Sequence, residues 1–293
     1  MLANIIPEAY RIIKSVRGLY MVVSPDGVLK ECPARGILRR REQEPYVGDW
    51  VRIEDDVITE VLPRKNEIIR PPLANLDQIC FVVSMREPQP NVRLLDKFIA
   101  VSEYKNIQPL LLLTKIDLAS YEAIYEIYRS IEIPVLIVDY QNPESLEAVK
   151  EAFRDKVSAL TGNSGAGKST LLNVLYPELA IPTGEISQKL GRGRHTTRHA
   201  QLYPLDNGGY IADTPGFSTF DTMRYAVIRK EELADCFIEF AEYQNQCRFH
   251  DCSHTCEKGC AVLEAVREGK IPESRHQSYC EMYEESKKIK EWE

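Results

Sequence analysis

Residues Gly162-Asn163-Ser164-Gly165-Ala166-Gly167-Lys168-Ser169 follow the spacing G-x-x-x-x-G-K-[ST]. The chemistry open to such a string is capture of a nucleotide's phosphates. Its glycines let backbone N–H groups converge on phosphate oxygens, and the N-terminus of a following helix adds favourable partial charge. Lys168 would reach the β- and γ-phosphates and the Ser169 hydroxyl would take a Mg²⁺ position, with Thr170 completing the string.

The phosphate string alone permits an ATPase, a kinase or a GTPase. Two further motifs bear on the base and the reaction. Thr114-Lys115-Ile116-Asp117 resembles N-K-x-D with Thr for Asn. Its aspartate can accept from both the ring N–H and the exocyclic amine of guanine, donors that adenine does not offer in that arrangement. Asp213-Thr214-Pro215-Gly216 matches D-x-x-G: Asp213 would hold Mg²⁺ through water, and the Gly216 N–H would sense the γ-phosphate. Each of these two strings is weak alone, and D-T-P-G is also an ordinary turn. Together, each at the end of a predicted strand, they point to guanine nucleotide. Their order is permuted: guanine motif first, then phosphate loop, then D-T-P-G. Cutting and rejoining the chain elsewhere keeps the same closed site. The strand bearing Asp213 then leads directly into the C-terminal region, so a change at the γ-phosphate could be passed to it.

These motifs need an α/β sheet to carry them. Continuous apolar runs at 79–83, 109–113 and 134–138 alternate with helical patterns, and strands are predicted at 157–160 and 210–212. Such a rhythm means buried parallel strands covered on both faces. Before residue 70 the segments are shorter and alternate, as in Val47–Ile53 and Val57–Val61, with Pro25-Asp26-Gly27 as a turn between two of them. A small β-barrel is predicted there, an oligonucleotide-binding (OB) barrel being the obvious form. After about residue 225 the pattern is helical and charged.

Of eight cysteines, Cys247, Cys252, Cys256 and Cys260 crowd into one segment that also holds His250 and His254. Cys247-x₄-Cys252-x-His254-x₅-Cys260 supplies three thiolates and an imidazole, enough for a closed, structural zinc site. Spacing alone leaves His250 and Cys256 in play. Net charge is −7, against an all-over nucleic-acid coat. Local basic patches exist all the same: Arg35 with Arg39-Arg40-Arg41, and Lys189, Arg192, Arg194 and Arg198. Charge by itself leaves a solvated loop open for either. With 44% hydrophobic residues, no apolar run near membrane-span length and no secretory leader at Met1–Glu8, the expectation is a cytoplasmic globular protein.

The permuted motif order, a barrel in front and a metal-type cluster behind resemble the ribosome small subunit-dependent GTPase A (RsgA) family of bacterial ribosome-assembly factors over nearly the whole chain. Supporting strings are Tyr46-Val47-Gly48-Asp49, Arg64-Lys65-Asn66, Arg70-Pro71-Pro72 and Gly191-Arg192-Gly193-Arg194-His195-Thr196-Thr197. The fold implied is multidomain α/β: an OB-like barrel at 1–69, a circularly permuted P-loop GTPase domain at 70–225 and a helical zinc-binding domain at 226–293. The resemblance favours Cys247, Cys252, His254 and Cys260 as ligands of one structural Zn²⁺. It makes 189–199 a first switch, with Thr196 or Thr197 joining Ser169 and Asp213 around the Mg²⁺ that accompanies GTP. Phe217 stands where many GTPases carry a water-orienting Gln, and an apolar ring cannot polarise water. His195 is the candidate for that role, with a switch histidine touching RNA as the alternative. One departure is plain: a Ser-Ala or Ser-Ser pair often flanks the guanine, and here Val138-Asp139-Tyr140 occupies that place. Ser158-Ala159 is no substitute, since it lies in the strand feeding the phosphate loop.

The function implied is hydrolysis of GTP to GDP and phosphate, stimulated by the small ribosomal subunit during its late maturation. The barrel would serve ribosomal RNA, and a monomer with no membrane attachment is expected. A non-catalytic, GTP-latched RNA-binding module is the alternative, and a P-loop ATPase or kinase is the second, which Asp117 opposes.

Overall fold

The computed structural model describes residues 9–36, 38, 43–69, 71–179, 200–213 and 227–288. The short alternating segments form strands β1 (Tyr10–Val16), β2 (Leu19–Val23), β3 (Leu29–Pro33), β4 (Trp50–Glu54) and β5 (Val57–Val61). β1 pairs antiparallel with β2 and with β4, β2 with β3, and β4 with β5. A parallel bridge from Ala34 to Ile58 brings the end of β3 against β5. The result is a small barrel with the strand order of an OB fold, its edges largely spent on one another. Ile12, Val22, Cys32, Val51 and Ile58, all fully buried, fill its interior.

The strings at the barrel's base form its joint with the next layer. Asp49 is fully buried and accepts from Arg64 Nε at 2.8 Å and Nη2 at 2.7 Å, while the Tyr46 backbone N–H donates to it at 2.7 Å. The same guanidinium lies 4.0 Å over the Tyr46 ring, which adds a cation–π contact. Gly48 holds φ +97°, and a Cβ there would stand 2.1 Å from the Ala74 carbonyl oxygen, so no other residue lets the two backbones meet. The short strands β6 (Glu67–Ile68) and β7 (Leu73–Ala74) complete the joint. Asn66 both donates to the Leu76 carbonyl at 2.8 Å and accepts from its N–H at 2.9 Å.

Beyond the joint, β8 (Gln78–Ser84), β9 (Gln108–Thr114), β10 (Val135–Ile137), β11 (Val157–Thr161) and β13 (Tyr210–Asp213) run parallel in the spatial order β10-β9-β8-β11-β13. β12 (Gln201–Pro204) lies antiparallel beside β13, and its Gln201 pairs with Lys14 of β1, so barrel and sheet are continuous. Alternate strand residues serve opposite faces. Phe81, Leu111 and Leu113 pack with α1 (Val92–Tyr104) and α2 (Glu122–Ser130), while Cys80, Val82 and Leu112 pack with α3 (Pro143–Phe153) and α4 (Lys168–Leu175). Coverage of both faces explains why these strands read as unbroken apolar runs.

The C-terminal region is less helical than its pattern suggests. From 227 to 260 the chain makes turns and one-turn helices, among them Ala234–Cys236, Ile238–Phe240 and Gln244–Gln246. Regular helices come only afterwards, α5 (Ala261–Arg267) and α6 (Glu273–Ser286). The region packs on α1 through Phe237, Phe240 and Tyr279 with Ala100. A buried ionic knot fastens the contact. Arg275, with no exposed surface, donates to Asp96 Oδ1 of α1 at 2.8 Å and to Glu239 at 2.7 and 3.2 Å. Tyr128 Oη and Ser278 Oγ donate to the two oxygens of Asp96 at 2.8 and 2.6 Å. The Arg275 guanidinium also lies 4.6 Å over the Phe237 ring.

One guanidinium is shared by two carboxylates, and removing Asp96 would leave Arg275 with Glu239 alone and strand the buried Tyr128 and Ser278 hydroxyls. Asp96→Ala is expected to cost about 3–5 kcal/mol, read as a lower urea midpoint for the transition that releases the C-terminal region. An unchanged midpoint would deny the knot that role.

Candidate functional site

Ligands of open parallel sheets bind outside the carboxyl ends of the strands. The ends of β9, β8, β11 and β13 bring the sequence motifs to that edge. The phosphate string is the turn from β11 into α4. Gly162 holds φ +143° beneath it, and a Cβ there would stand 2.3 Å from the Val82 carbonyl oxygen of β8. Glycine therefore lets the loop leave the sheet against its neighbour. Ala166 N–H donates to the Asn163 carbonyl at 3.1 Å, closing the turn, and Gly167 caps α4. Ser164 and Gly165 are exposed at its crest, and Ser169 and Thr170 follow in the helix's first turn.

Lys168 lies across this loop, its ammonium donating to the carbonyls of Gly162 at 2.6 Å and Asn163 at 2.9 Å. Burial lowers its pKa. Among the described residues no carboxylate pairs with it, so an anion brought to the loop would favour its charged form.

The guanine-type motif ends β9 beside this loop. Thr114 is buried, and its hydroxyl donates to the Ala166 carbonyl at 2.8 Å. The Thr that replaces Asn thus ties the two motifs together directly. Lys115 takes φ +56°, and its ammonium donates to the Glu87 carbonyl in the turn after β8. Ile116 and Asp117 lie in the turn that follows, with Asp117 exposed at the mouth. The turn after β10, holding Asp139 and Tyr140, lies next to it because β9 and β10 are parallel neighbours.

Asp213 ends β13, where its backbone pairs with Gln201; its side chain lies outside the described residues. So do Thr214 to Gly216 and Phe217, the switch residues His195, Thr196 and Thr197, and the basic residues Arg39–Arg41, Lys189, Arg192, Arg194 and Arg198. The structure therefore brings together the phosphate and guanine strings.

The cysteine cluster is a separate centre. Ligand atoms of Cys247, Cys252, His254 and Cys260 all lie within 4.8 Å of one another. His254 Nδ1 stands 3.5 Å from the sulfurs of both Cys247 and Cys260, and those sulfurs are 3.8 Å apart. A tetrahedron with metal–sulfur bonds of about 2.3 Å and metal–nitrogen bonds of about 2.0–2.1 Å has edges of about these lengths. Burial and the neighbouring thiols push Cys252 up to about 12, a cost that a bound cation would remove. His250 and Cys256, which spacing alone left in play, are exposed and outside the cluster. The loop is organised by Glu257: burial opposes its charge, but the Ser253 hydroxyl and the N–H groups of Ser253 and Cys256 hold it down to about 2. Cys260 caps α5 by accepting from Leu263 N–H at 3.5 Å, so the centre is built into the helix start.

Sheet order, phosphate loop, guanine-type motif and their permuted sequence together define a circularly permuted P-loop GTPase. The RsgA GTPase family model matches residues 61–223, and the RsgA N-terminal domain model matches residues 11–60. The small ribosomal subunit biogenesis GTPase RsgA of Caldanaerobacter subterraneus subsp. tengcongensis is 41% identical over 285 residues, covering 94% of this chain and 95% of that protein. The protein of the same description from Bacillus cereus (strain ATCC 14579) is 42% identical over 295 residues, covering 97% and 99%. Among solved structures, YjeQ from Thermotoga maritima superposes with a TM-score of 0.81 at 32% identity, covering 97% of this chain and 99% of that one. YloQ, described as a circularly permuted GTPase, superposes with a TM-score of 0.79 at 34% identity, covering 96% of each. The chain belongs to the RsgA GTPase family, enzymes that hydrolyse GTP.

If the four-ligand centre holds a structural metal, its removal must loosen the C-terminal core. Chelator treatment is expected to release one equivalent of metal per chain and to lower the Tm measured by scanning calorimetry. An unchanged Tm after complete metal release would count against a structural centre.

Proposed function

We propose that this chain hydrolyses GTP at the strand-end site and is stimulated by the small ribosomal subunit during late steps of that subunit's maturation. The observation that carries the nucleotide assignment is the 2.8 Å hydrogen bond from Thr114 to the Ala166 carbonyl. It sets the guanine-type turn and the phosphate loop side by side, as one nucleotide spanning both requires. In this reading Asp117 accepts from the guanine edge. The loop from Gly162 to Gly167 cradles the phosphates with its N–H groups, and Lys168 pairs the β- and γ-phosphates. Mg²⁺ accompanying GTP would be held by Ser169, by Asp213 through water and by Thr196 or Thr197, and it would neutralise charge developing on the phosphate oxygens. Water attacks the γ-phosphorus, the bond to the β–γ bridging oxygen breaks, and GDP and phosphate leave. With Phe217 beside the D-x-x-G string, His195 is the group assigned to position that water.

The partner assignment comes from family membership, since the relatives described above are small-subunit biogenesis factors. It is supported by the OB-type barrel, a form used on oligonucleotides. The subunit's RNA is its ligand in this reading, with the basic residues at 35–41 and 189–198 supplying salt-dependent attraction. We assign zinc to the four-ligand centre because three thiolates and one imidazole suit it. Among the described residues no helix is long and apolar enough to cross a membrane.

Phosphate release from GTP is expected to rise strongly on addition of purified small subunits and to be lost in Lys168→Ala. Turnover in Lys168→Ala equal to the parent would overturn the site. In His195→Ala, subunit-stimulated turnover is expected to fall by about 10²-fold, within the range for a positioned general base, while GDP affinity holds. Unchanged turnover would remove His195 from the chemistry.

A further inference from the structure

The turn after β10 sets Asp139 and Tyr140 beside the guanine-type motif, because β10 and β9 are parallel neighbours. Three polar side chains beside Tyr140, those of Asp139, Asn142 and Ser145, hold the turn. Ser145 Oγ accepts from the Asp139 N–H at 2.9 Å and donates to the Ile137 carbonyl at 2.6 Å. The Asp139 carboxylate accepts from the Gln141 N–H at 2.9 Å, and the Asn142 side chain caps α3 by accepting from the Glu144 N–H at 3.0 Å. Tyr140 is left to face outward from a rigid support, with 40% of its surface exposed.

Its direction is specific. The Tyr140 hydroxyl lies 3.9 Å from the point where a Cβ on Gly167 would stand, and so does the Thr114 hydroxyl. The phenol therefore bridges from the turn after β10 to the capping residue of the phosphate loop, beside the tie that joins the guanine motif to that loop. Unlike Thr114, whose hydroxyl is engaged with Ala166, Tyr140 has no hydrogen-bond partner for its hydroxyl among the described residues. A nucleotide laid from the Asp117 turn to the Gly162–Gly167 loop must pass this phenol.

We propose that Tyr140 is a nucleotide-contacting residue, its ring flanking the bound guanosine and its hydroxyl donating to the nucleotide where the chain enters α4. The hydroxyl suits a ribose or phosphate oxygen, and the ring offers a flat apolar wall to the base. A small side chain at this place would offer no aromatic wall and no group reaching as far as Gly167. Tyr140 thus adds affinity for GDP and GTP alike, without taking part in bond breaking. Such uniform binding is felt in KM before kcat.

This inference rests on the nucleotide site assigned above, and the test separates the two. GDP affinity is measured by calorimetry for the full chain and for Tyr140→Ala, Tyr140→Phe and Asp117→Ala, with circular dichroism as the check on folding. For Tyr140→Ala the Kd is expected to rise about tenfold, the order of one hydrogen bond plus an aromatic contact. The KM for GTP should rise with it by more than kcat falls. A Tyr140→Phe value close to the parent assigns the gain to the ring, and one close to Tyr140→Ala assigns it to the hydroxyl. A Kd for Tyr140→Ala within twofold of the parent, or tighter, overturns the proposal. If Asp117→Ala alone loses affinity, Tyr140 falls and the site stands; if neither variant loses affinity, the site itself is wrong.

Discussion

The nucleotide end of this molecule depends on the register of parallel strands whose chain order is scrambled. β8 and β9 pair residue for residue from Gln78 with Gln108 to Ser84 with Thr114, and β11 joins β8 from Ser158 with Gln78 to Thr161 with Phe81. A slip of one residue would turn Leu111 and Leu113 to the face now held by Leu112 and expose the wrong set to each pair of helices. Register is thus fixed by burial on two faces at once, and it sets the level at which each strand delivers its turn. Thr114 reaches the Ala166 carbonyl because β9 and β11 both flank β8 and end at the same edge.

Because the ladder fixes position through space, the order of the segments along the chain is free to change. The guanine motif precedes the phosphate loop by almost fifty positions in this sequence, yet the two share one hydrogen bond. What permutation changes is the connections. β12 lies antiparallel between β13, the edge of the parallel strands, and the barrel, and β13 is the last strand among the described residues. β13, which in the proposed reading carries Asp213 to the nucleotide, is thus joined through β12 to the barrel and precedes the C-terminal region along the chain.

Those parts are fastened by different physics. The barrel is joined by backbone pairing, by the Asp49–Arg64 ion pair and by the close approach at Gly48, all local to one seam. The C-terminal region is held by Arg275 shared between Asp96 and Glu239, sealed by aromatic rings. Its own interior is small, with Phe240 against His254 and Tyr279 at its centre, beside the cluster of Cys247, Cys252, His254 and Cys260. Asp96 sits on α1, whose preceding turn carries the Glu87 carbonyl bound by Lys115. One helix therefore touches the guanine motif at one end and the C-terminal core along its side.

Much of this was legible in the residues themselves. The phosphate string, the permuted order, the apolar runs of a doubly covered sheet and the metal-type cluster are short-range patterns, each tied to a backbone need or a donor set that spacing can encode. Tertiary structure decided what depends on two distant segments meeting. It chose His254 over His250 and left Cys256 outside the cluster, because ligand choice follows loop shape rather than spacing. It made the Thr in Thr114-Lys115-Ile116-Asp117 a tie to the phosphate loop, a contact across 52 positions. It made the stretch from 227 to 260 turns where helix was expected; Cys247 and Cys260, whose sulfurs are 3.8 Å apart, would stand roughly 20 Å apart along one helix. It joined Asp96 to Arg275 across 179 positions, and it aimed Tyr140 at Gly167. A sequence pattern reports periodicity and local chemistry; only the packed sheet determines which of those chemistries stand within a hydrogen bond of each other.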